Sequence, residues 1–414
     1  MRTFLAISTA AILAALVSLA VGAEPAAAPG KIDREDDIRK EYLGRLDPNA
    51  ASHVKPGDVI TKENAKKVWS LVSPGIYWLV ERGMQMNIVE HTPFQDPPAY
   101  KEATEKYHAQ VKLAPDGVLD ETTYVAGRPF PIIDANDPTA ATKIMYNFER
   151  SAYFTDDLTS KLFDAETGSI QQKGGKQQYS IERHFVLEAL RAIRYVGRTE
   201  QQPVPKMPNP DNVLLKGGSY PILEPFDLKG VGGVSYRYLD PHKYDDTWLY
   251  LPSLRRVRRL STAQRSDALF GQDIDLDTVG GFAGQIPWFD WKLLAVTQGL
   301  GVGHGKHLPG KPCEVDGGVT FCDDWEIGPG YIIEGTPKLA GYAYSKRILF
   351  VSAETFYIAY TDLFDQRGEL WKTAINFGRY DKKPNPRANV EYPFPRTFLY
   401  GFVVVDIQLE HATR

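Results

Sequence analysis

Three aspartates at alternating positions, Asp273, Asp275 and Asp277, open like a calcium loop, where every second residue supplies a hard oxygen ligand. Such a loop next needs a glycine and closes on a bidentate glutamate. Thr278 and Gly284 stand there instead, so charged strand residues facing water are the expectation. His304 and His307 lie near Cys313 and Cys322, a set that could offer zinc four ligands. The chain opens with a secretory leader (below), and in an oxidising compartment Cys313 and Cys322 are expected to form a disulfide, leaving no metal site. Gly299, Gly301, Gly303 and Gly305 suggest a phosphate loop. Their spacing is not G-x-G-x-x-G, and Lys306 is followed by His307 rather than Ser or Thr, so a flexible surface loop is expected. Ser52-x-x-Lys55 has the S-x-x-K form but lacks partner motifs, and neither G-x-S-x-G nor H-E-x-x-H occurs. The chain is therefore read as non-enzymatic, with no cofactor.

What remains is a patterned stretch from Asp245 to Trp291. Thr247, Leu249 and Leu251 alternate with Trp248 and Tyr250, which describes a strand apolar on both faces. A turn at Pro252-Ser253 leads into a return strand with Arg255, Arg256, Arg258 and Arg259. These arginines form either a solvated face paired with Asp245, Asp246 and Asp267, or a basic rim for an anionic headgroup or an acidic partner. Trp248, Tyr250, Phe270, Trp288 and Trp291, with Phe282 and Phe289, either fill a core or line an apolar ligand cavity.

The elements that carry this stretch follow from composition and period. A net charge of −4 removes the basic excess expected of a nucleic-acid binder. With 35 Gly, 29 Pro and 12% aromatics, a β-rich fold is favoured over a helical bundle. Arg2, the apolar run Phe4–Val21 and Val21-Gly22-Ala23 form a signal peptide over 1–23, cleaved after Ala23. Residues 24–57 are expected to be a mobile N-terminal segment, although Ile32–Tyr42 could be helical. Helices are expected over Lys62–Leu71, stopped by Pro74-Gly75, from Pro97-Pro98 onward, and from Asp137-Pro138 to about Arg150, with Ala141, Ile144, Met145 and Phe148 inward. Ile76–Leu79 reads as extended. From about 151 the pattern is that of a meandering antiparallel sheet, so the class is α+β.

The order Trp248-x-Tyr250-x-Pro252, a basic strand, then Gly271, Asp273 and Asp277 resembles the LolA/LolB-like superfamily. Tyr344–Phe350, Thr355–Tyr360, Asp365–Gly368 and Leu370-Trp371-Lys372 are similar to its closing strands, over roughly residues 175–410. Ser73-Pro74-Gly75, Ala126-Gly127-x-Pro129-Phe130-Pro131 and Asp137-Pro138 resemble a larger, uncharacterised branch often labelled outer-membrane lipoprotein-sorting protein. The resemblance implies a strongly curved antiparallel sheet, an incomplete β-barrel with helices over its open side, in one LolA-like domain over 58–414 whose helical part is 58–150. It implies a periplasmic carrier of lipid, lipidated protein or another hydrophobic compound, handed between an inner-membrane exporter and an outer-membrane acceptor. The apolar cavity would be partly lined by Trp248, Tyr250, Trp288 and Trp291. A non-enzymatic assembly factor that docks a membrane partner through its basic strand is the alternative.

Overall fold

The computed structural model of the chain describes residues 35–153, 156–174, 176–260, 265–307 and 310–414. The expected signal peptide lies outside these residues, as does 24–34 of the expected mobile segment. In chain order the elements are α1 (Glu35–Gly44), β1 (Val59–Ile60), α2 (Pro74–Glu81), β2 (Met86–Val89), α3 (Pro98–Tyr107) and α4 (Ala140–Glu149). Strands follow: β3 (Asp157–Lys173), β4 (Lys176–Arg194), β5 (Val213–Ser219), β6 (Ile222–Glu224), β7 (Gly232–Tyr238), β8 (Asp246–Leu251) and β9 (Arg256–Arg259). The rest are β10 (Phe289–Gly301), β11 (Asp324–Pro337), β12 (Lys346–Ser352), β13 (Ile358–Phe364), β14 (Leu370–Asp381), β15 (Arg396–Asp406) and β16 (His411–Thr413).

These strands make one sheet, ordered β1-β2-β11-β12-β13-β14-β15-β16-β3-β4-β5-β7-β8-β9, with β10 beside β11 and β6 beside β4. All pairings between strands are antiparallel except β2 with β11. The path starts at β1 and ends at β9 without closing, so the fold is the expected α+β incomplete barrel. The chain's last strand inserts between β15 and β3, which makes the sheet continuous across its two ends in sequence.

The two halves of the sheet differ in packing. β12 is buried from Lys346 to Val351 and β13 along its whole length. One face, with Phe350, Tyr360, Ile375, Phe377, Val403 and Val405, packs on Ile76, Leu79 and Val80 of α2. The other, with Ile333, Leu349, Val351 and Leu363, packs on Ile144, Met145 and Phe148 of α4. The i, i+3, i+4, i+7 spacing of Ala141, Ile144, Met145 and Phe148 puts one apolar stripe on this sheet, as the sequence predicts.

Several expectations are corrected. Lys62–Leu71 is not an α-helix; only a short 3-10 turn, Ala65–Val68, forms there. Pro74-Gly75 begins a helix instead of stopping one. Ser73 caps α2 by accepting from the Ile76 amide at 3.3 Å, and Pro74 occupies the first turn, where its missing N–H costs nothing. Ile76–Leu79 is therefore helical. Residues 35–57, assigned to a mobile segment, are held on the sheet. Ile38 and Tyr42 are buried against Ile348 and Phe364, and Arg39 forks onto Glu334. Gly299 and Gly301 lie inside β10, not in a surface loop. A Cβ on Gly299 would stand 2.5 Å from the Phe350 ring, and one on Gly303 would strike Phe94. Close packing explains these glycines.

Cys313 and Cys322 form the expected disulfide, with Cα atoms 4.6 Å apart. Inside that loop Asp316 accepts from the Gly318, Val319 and Thr320 amides and the Thr320 hydroxyl. Burial outweighs these donors and pushes its carboxyl from 3.8 up to about 6. A raised folded-state value means that the folded chain holds the proton more tightly. The resulting stability is complete below about pH 4 and is lost as pH rises through 6. Urea unfolding of the native protein and Asp316→Asn, compared at several pH values, is expected to show the native protein's relative stability falling by up to about 3 kcal/mol over that window. A pH-independent difference contradicts this.

Candidate functional site: an open apolar sheet on a buried charge network

The hairpin expected between Thr247 and Arg259 is β8–β9, with residues 252–255 as its turn. Its register decides which side chains share a face. Trp248 pairs with Arg259 and with Val234 of β7, and Tyr250 pairs with Val257 and Gly232. Leu249 pairs with Arg258 and Gly233, and Leu251 with Arg256. The arginines are therefore split. Arg256 and Arg258 lie on the Leu249–Leu251 face, Arg259 on the Trp248–Tyr250 face, and Arg255 in the turn with φ +49°.

The Trp248 face is aromatic and incompletely covered. Tyr236 meets Trp248 edge-on at 5.8 Å, and Lys216 lies 5.1 Å from the Tyr236 ring. Tyr250 is 44% exposed and Val257 61%. Leu158, Leu162, Ile181 and Ile193 of β3 and β4 are also exposed, but β5 lies between these strands and β7, and the register Leu158↔Ala192 puts Leu158 on the opposite face from Ile193. Tyr250 and Val257, paired across β8 and β9, leave apolar surface uncovered there, and exposed apolar surface of this kind marks interaction sites. Arg259 pairs with Asp246, which also accepts from the Tyr238 hydroxyl at 2.7 Å. All four residues of β9 are exposed, and β9 ends the sheet path.

The other expected aromatics sit elsewhere. Trp288 and Trp291 belong to the packed half, in one cluster with Phe282, Phe289 and Tyr342. Trp291 stacks on Phe289 at 5.3 Å and donates to the Ile286 carbonyl, and Trp288 donates to the Pro241 carbonyl. Phe270 is half-buried in a turn at φ +51°. The structure thus brings Trp248 and Tyr250 together and places Trp288 and Trp291 in filled space. On the opposite face, the cleft between α1 and β10–β13 measures about 30 Å³. That is roughly one water's share of the liquid, too little for an acyl chain.

The base of the hairpin is tied to the packed half by charge. Asp245 accepts from Arg237 at 2.8 Å, Arg265 at 2.9 Å and Gln285 at 3.1 Å. Arg265 also donates to Asp277 at 2.6 Å, and Tyr342 donates to the other Asp277 oxygen at 2.8 Å. Burial would raise the Asp245 carboxyl, but Arg237 and Arg265 together hold it below the usual range. Asp275 takes the Tyr344 and Thr278 hydroxyls, with burial keeping its carboxyl raised, and Asp273 takes His411 and Thr413. Asp273, Asp275 and Asp277 are all buried, so the expectation that they face water is corrected. Their carboxylates take partners from β16, from the segment before β12 and from Arg265. Arg237 and Arg265 carry this network and had no sequence signal beyond their type. Among the described residues no group of three or more His, Cys, Asp or Glu is arranged to hold a metal ion, and no helix is long and apolar enough to cross a membrane.

A family profile described as a protein of unknown function (DUF1329) matches residues 59–414. No curated protein matches the chain. Among solved structures, a domain described as an outer membrane lipoprotein-sorting protein, from Vibrio parahaemolyticus, is 15% identical with a TM-score of 0.41, covering 67% of this chain and 89% of that one. A DUF1329 family protein from Desulfovibrio piger is 18% identical with a TM-score of 0.41, covering 66% and 87%. A LolA superfamily protein from Nitrosomonas europaea is 14% identical with a TM-score of 0.35, covering 66% and 89%.

Proposed function

Because the chain belongs to the DUF1329 family, whose function is unknown, we propose from its own geometry that it is a non-enzymatic carrier of a lipid or another hydrophobic compound. The observation that supports this is the unequal packing of one continuous sheet: apolar on both sides and filled over β11–β15, apolar and open over β7–β9. The cargo lies on the Trp248–Tyr250–Val257 face, and Arg259 at its rim meets an anionic headgroup. Each buried methylene contributes about 0.8 kcal/mol, so a chain laid on this surface is held without covalent chemistry. The carrier works in the periplasm, between an inner-membrane exporter and an outer-membrane acceptor. A lipidated protein is one form such cargo takes.

Native mass spectrometry of the protein purified from its own periplasm is expected to show bound lipid. The Trp248→Ala, Tyr250→Ala double variant is expected to bind about tenfold to a hundredfold more weakly, from the aromatic area it removes. Lipid-free native protein, or unchanged loading in the double variant, overturns the proposal. A second reading, an assembly factor that docks an acidic membrane partner, is favoured by the exposure of Arg256 and Arg258 on β9. It predicts that Arg256→Glu with Arg258→Glu abolishes co-purification of that partner while lipid loading is kept.

A further inference from the structure

A second cavity, of about 240 Å³, lies away from the open sheet. Its walls come from the segment before α3 (Phe94 and Asp96), from Arg128, from the β12–β13 turn (Glu354 and Thr355) and from Thr397 at the start of β15. At ~30 Å³ per water its volume equals several waters, enough for a small ring.

Its polar walls are held from behind. Arg128 pairs with Asp96 at 3.0 Å, and its guanidinium lies 4.8 Å from the Phe356 ring. Phe356 is buried at φ +57°, a conformation that a bulky residue adopts only where its surroundings impose it. It follows directly on Glu354 and Thr355. Glu354 stands 2.8 Å from His91 Nε2, and His91 Nδ1 stands 2.9 Å from Glu326. The other Glu326 oxygen meets His304 at 2.7 Å, and His304 stacks on Phe94 at 4.3 Å. A chain of two carboxylates and two imidazoles thus fixes Glu354 at one end and Phe94 at the other. Arg128 Nε is buried without a hydrogen-bond partner among the described residues, while Glu354 Oε2 faces His91 Nε2.

We propose that this cavity binds the ring of a neutral, polyhydroxylated ligand, a sugar. The wall chemistry selects among ligand classes. Phosphate or another anion would face the Asp96 and Glu354 carboxylates, and a simple cation would face the Arg128 guanidinium. A hydroxyl serves both, donating to a carboxylate and accepting from a guanidinium or a threonine hydroxyl. Phe94 supplies the apolar surface that a sugar ring's C–H face covers.

The test uses the full mature chain, saturation-transfer NMR and calorimetry. The probes are methyl β-D-glucoside, methyl β-D-galactoside, methyl N-acetyl-β-D-glucosaminide, inorganic phosphate and choline. At least one glycoside is expected to bind, and Thr355→Val with Thr397→Val to weaken it about tenfold while circular dichroism is unchanged. The same sugar on an octyl chain separates two sources. Equal affinity identifies a free sugar, and an octyl gain that the double variant also loses identifies a glycolipid head. Binding of phosphate or choline alone, binding of no glycoside, or glycoside binding unaffected by the double variant overturns the proposal. Lipid loading of the open sheet is a separate readout, so failure here leaves that proposal standing.

Discussion

Arg265→Ala is expected to lower the unfolding free energy by about 3–5 kcal/mol, read as a fall in the urea midpoint. The arginine is the shared cation of Asp245 and Asp277, both buried. Removing it leaves Asp277 with the Tyr342 hydroxyl and Asp245 with Arg237 and the neutral Gln285 amide, so two carboxylates stay in the interior with too little positive charge nearby. The penalty comes from stranding these charges, not from losing one contact. Arg259→Ala is the matched control. Its pair with Asp246 sits at the surface, where such a bridge contributes less than about 1 kcal/mol. The acid limb gives a second readout. The Asp245 carboxyl is depressed in the fold, so its contribution is present above the unfolded value and is lost as pH falls through the folded one. Arg265→Ala should flatten that limb. Equal losses in the two variants would refute the assignment.

The contrast between those two arginines shows where the sequence was readable. The β8–β9 hairpin was legible because Pro252-Ser253 separates two periodic runs, and α4 because four apolar residues keep one helical face. The distribution of the four arginines over two faces was not, since it depends on the register Trp248↔Arg259, which only the folded pairing fixes. Asp273, Asp275 and Asp277 read as solvated because an isolated charge prefers water. What buries them is supplied by Arg265, Tyr342, Tyr344 and His411, three of them more than sixty positions away in sequence. Ser73-Pro74-Gly75 was ambiguous locally. Proline ends one helix and starts another, and the capping hydroxyl of Ser73 decides between them. The aromatic residues divide the same way. Trp291 and Trp248 have similar neighbours in sequence, yet the first is enclosed by Phe282 and Phe289 and the second is left on an open sheet. The cavity beside Arg128 drew on Phe94, His91 and Glu354, which no motif connected.

Asp362→Ala is expected to release the N-terminal layer from the sheet. Asp362 is fully buried in β13, and among the described residues its partners are neutral donors. Four donors converge on it: the Tyr42 hydroxyl at 2.5 Å, the Ser73 hydroxyl at 3.0 Å, the Gly75 amide at 2.9 Å and the Thr373 hydroxyl at 2.8 Å. They come from α1, the cap and first turn of α2, and the neighbouring strand β14. One carboxyl therefore joins three layers, and burial keeps it above the usual carboxylate range. Alanine leaves the Gly75 amide and the hydroxyls enclosed without an acceptor. At about 1–3 kcal/mol for each buried group that cannot find another partner, the total loss is roughly 3 kcal/mol or more. Hydrogen exchange locates it. Amides of α1 and the first turn of α2 should exchange faster than in the native protein, while those of β14 and β15 change only with the global stability. Gly75→Ala reaches the same place by another route, because its Cβ would collide with Asp362 Oδ1 and Thr373 Oγ1. Both variants should loosen the same amides. Uniform protection across α1, α2 and β15 in either variant would show that hydrophobic packing of Ile38 and Tyr42 alone holds the layer down.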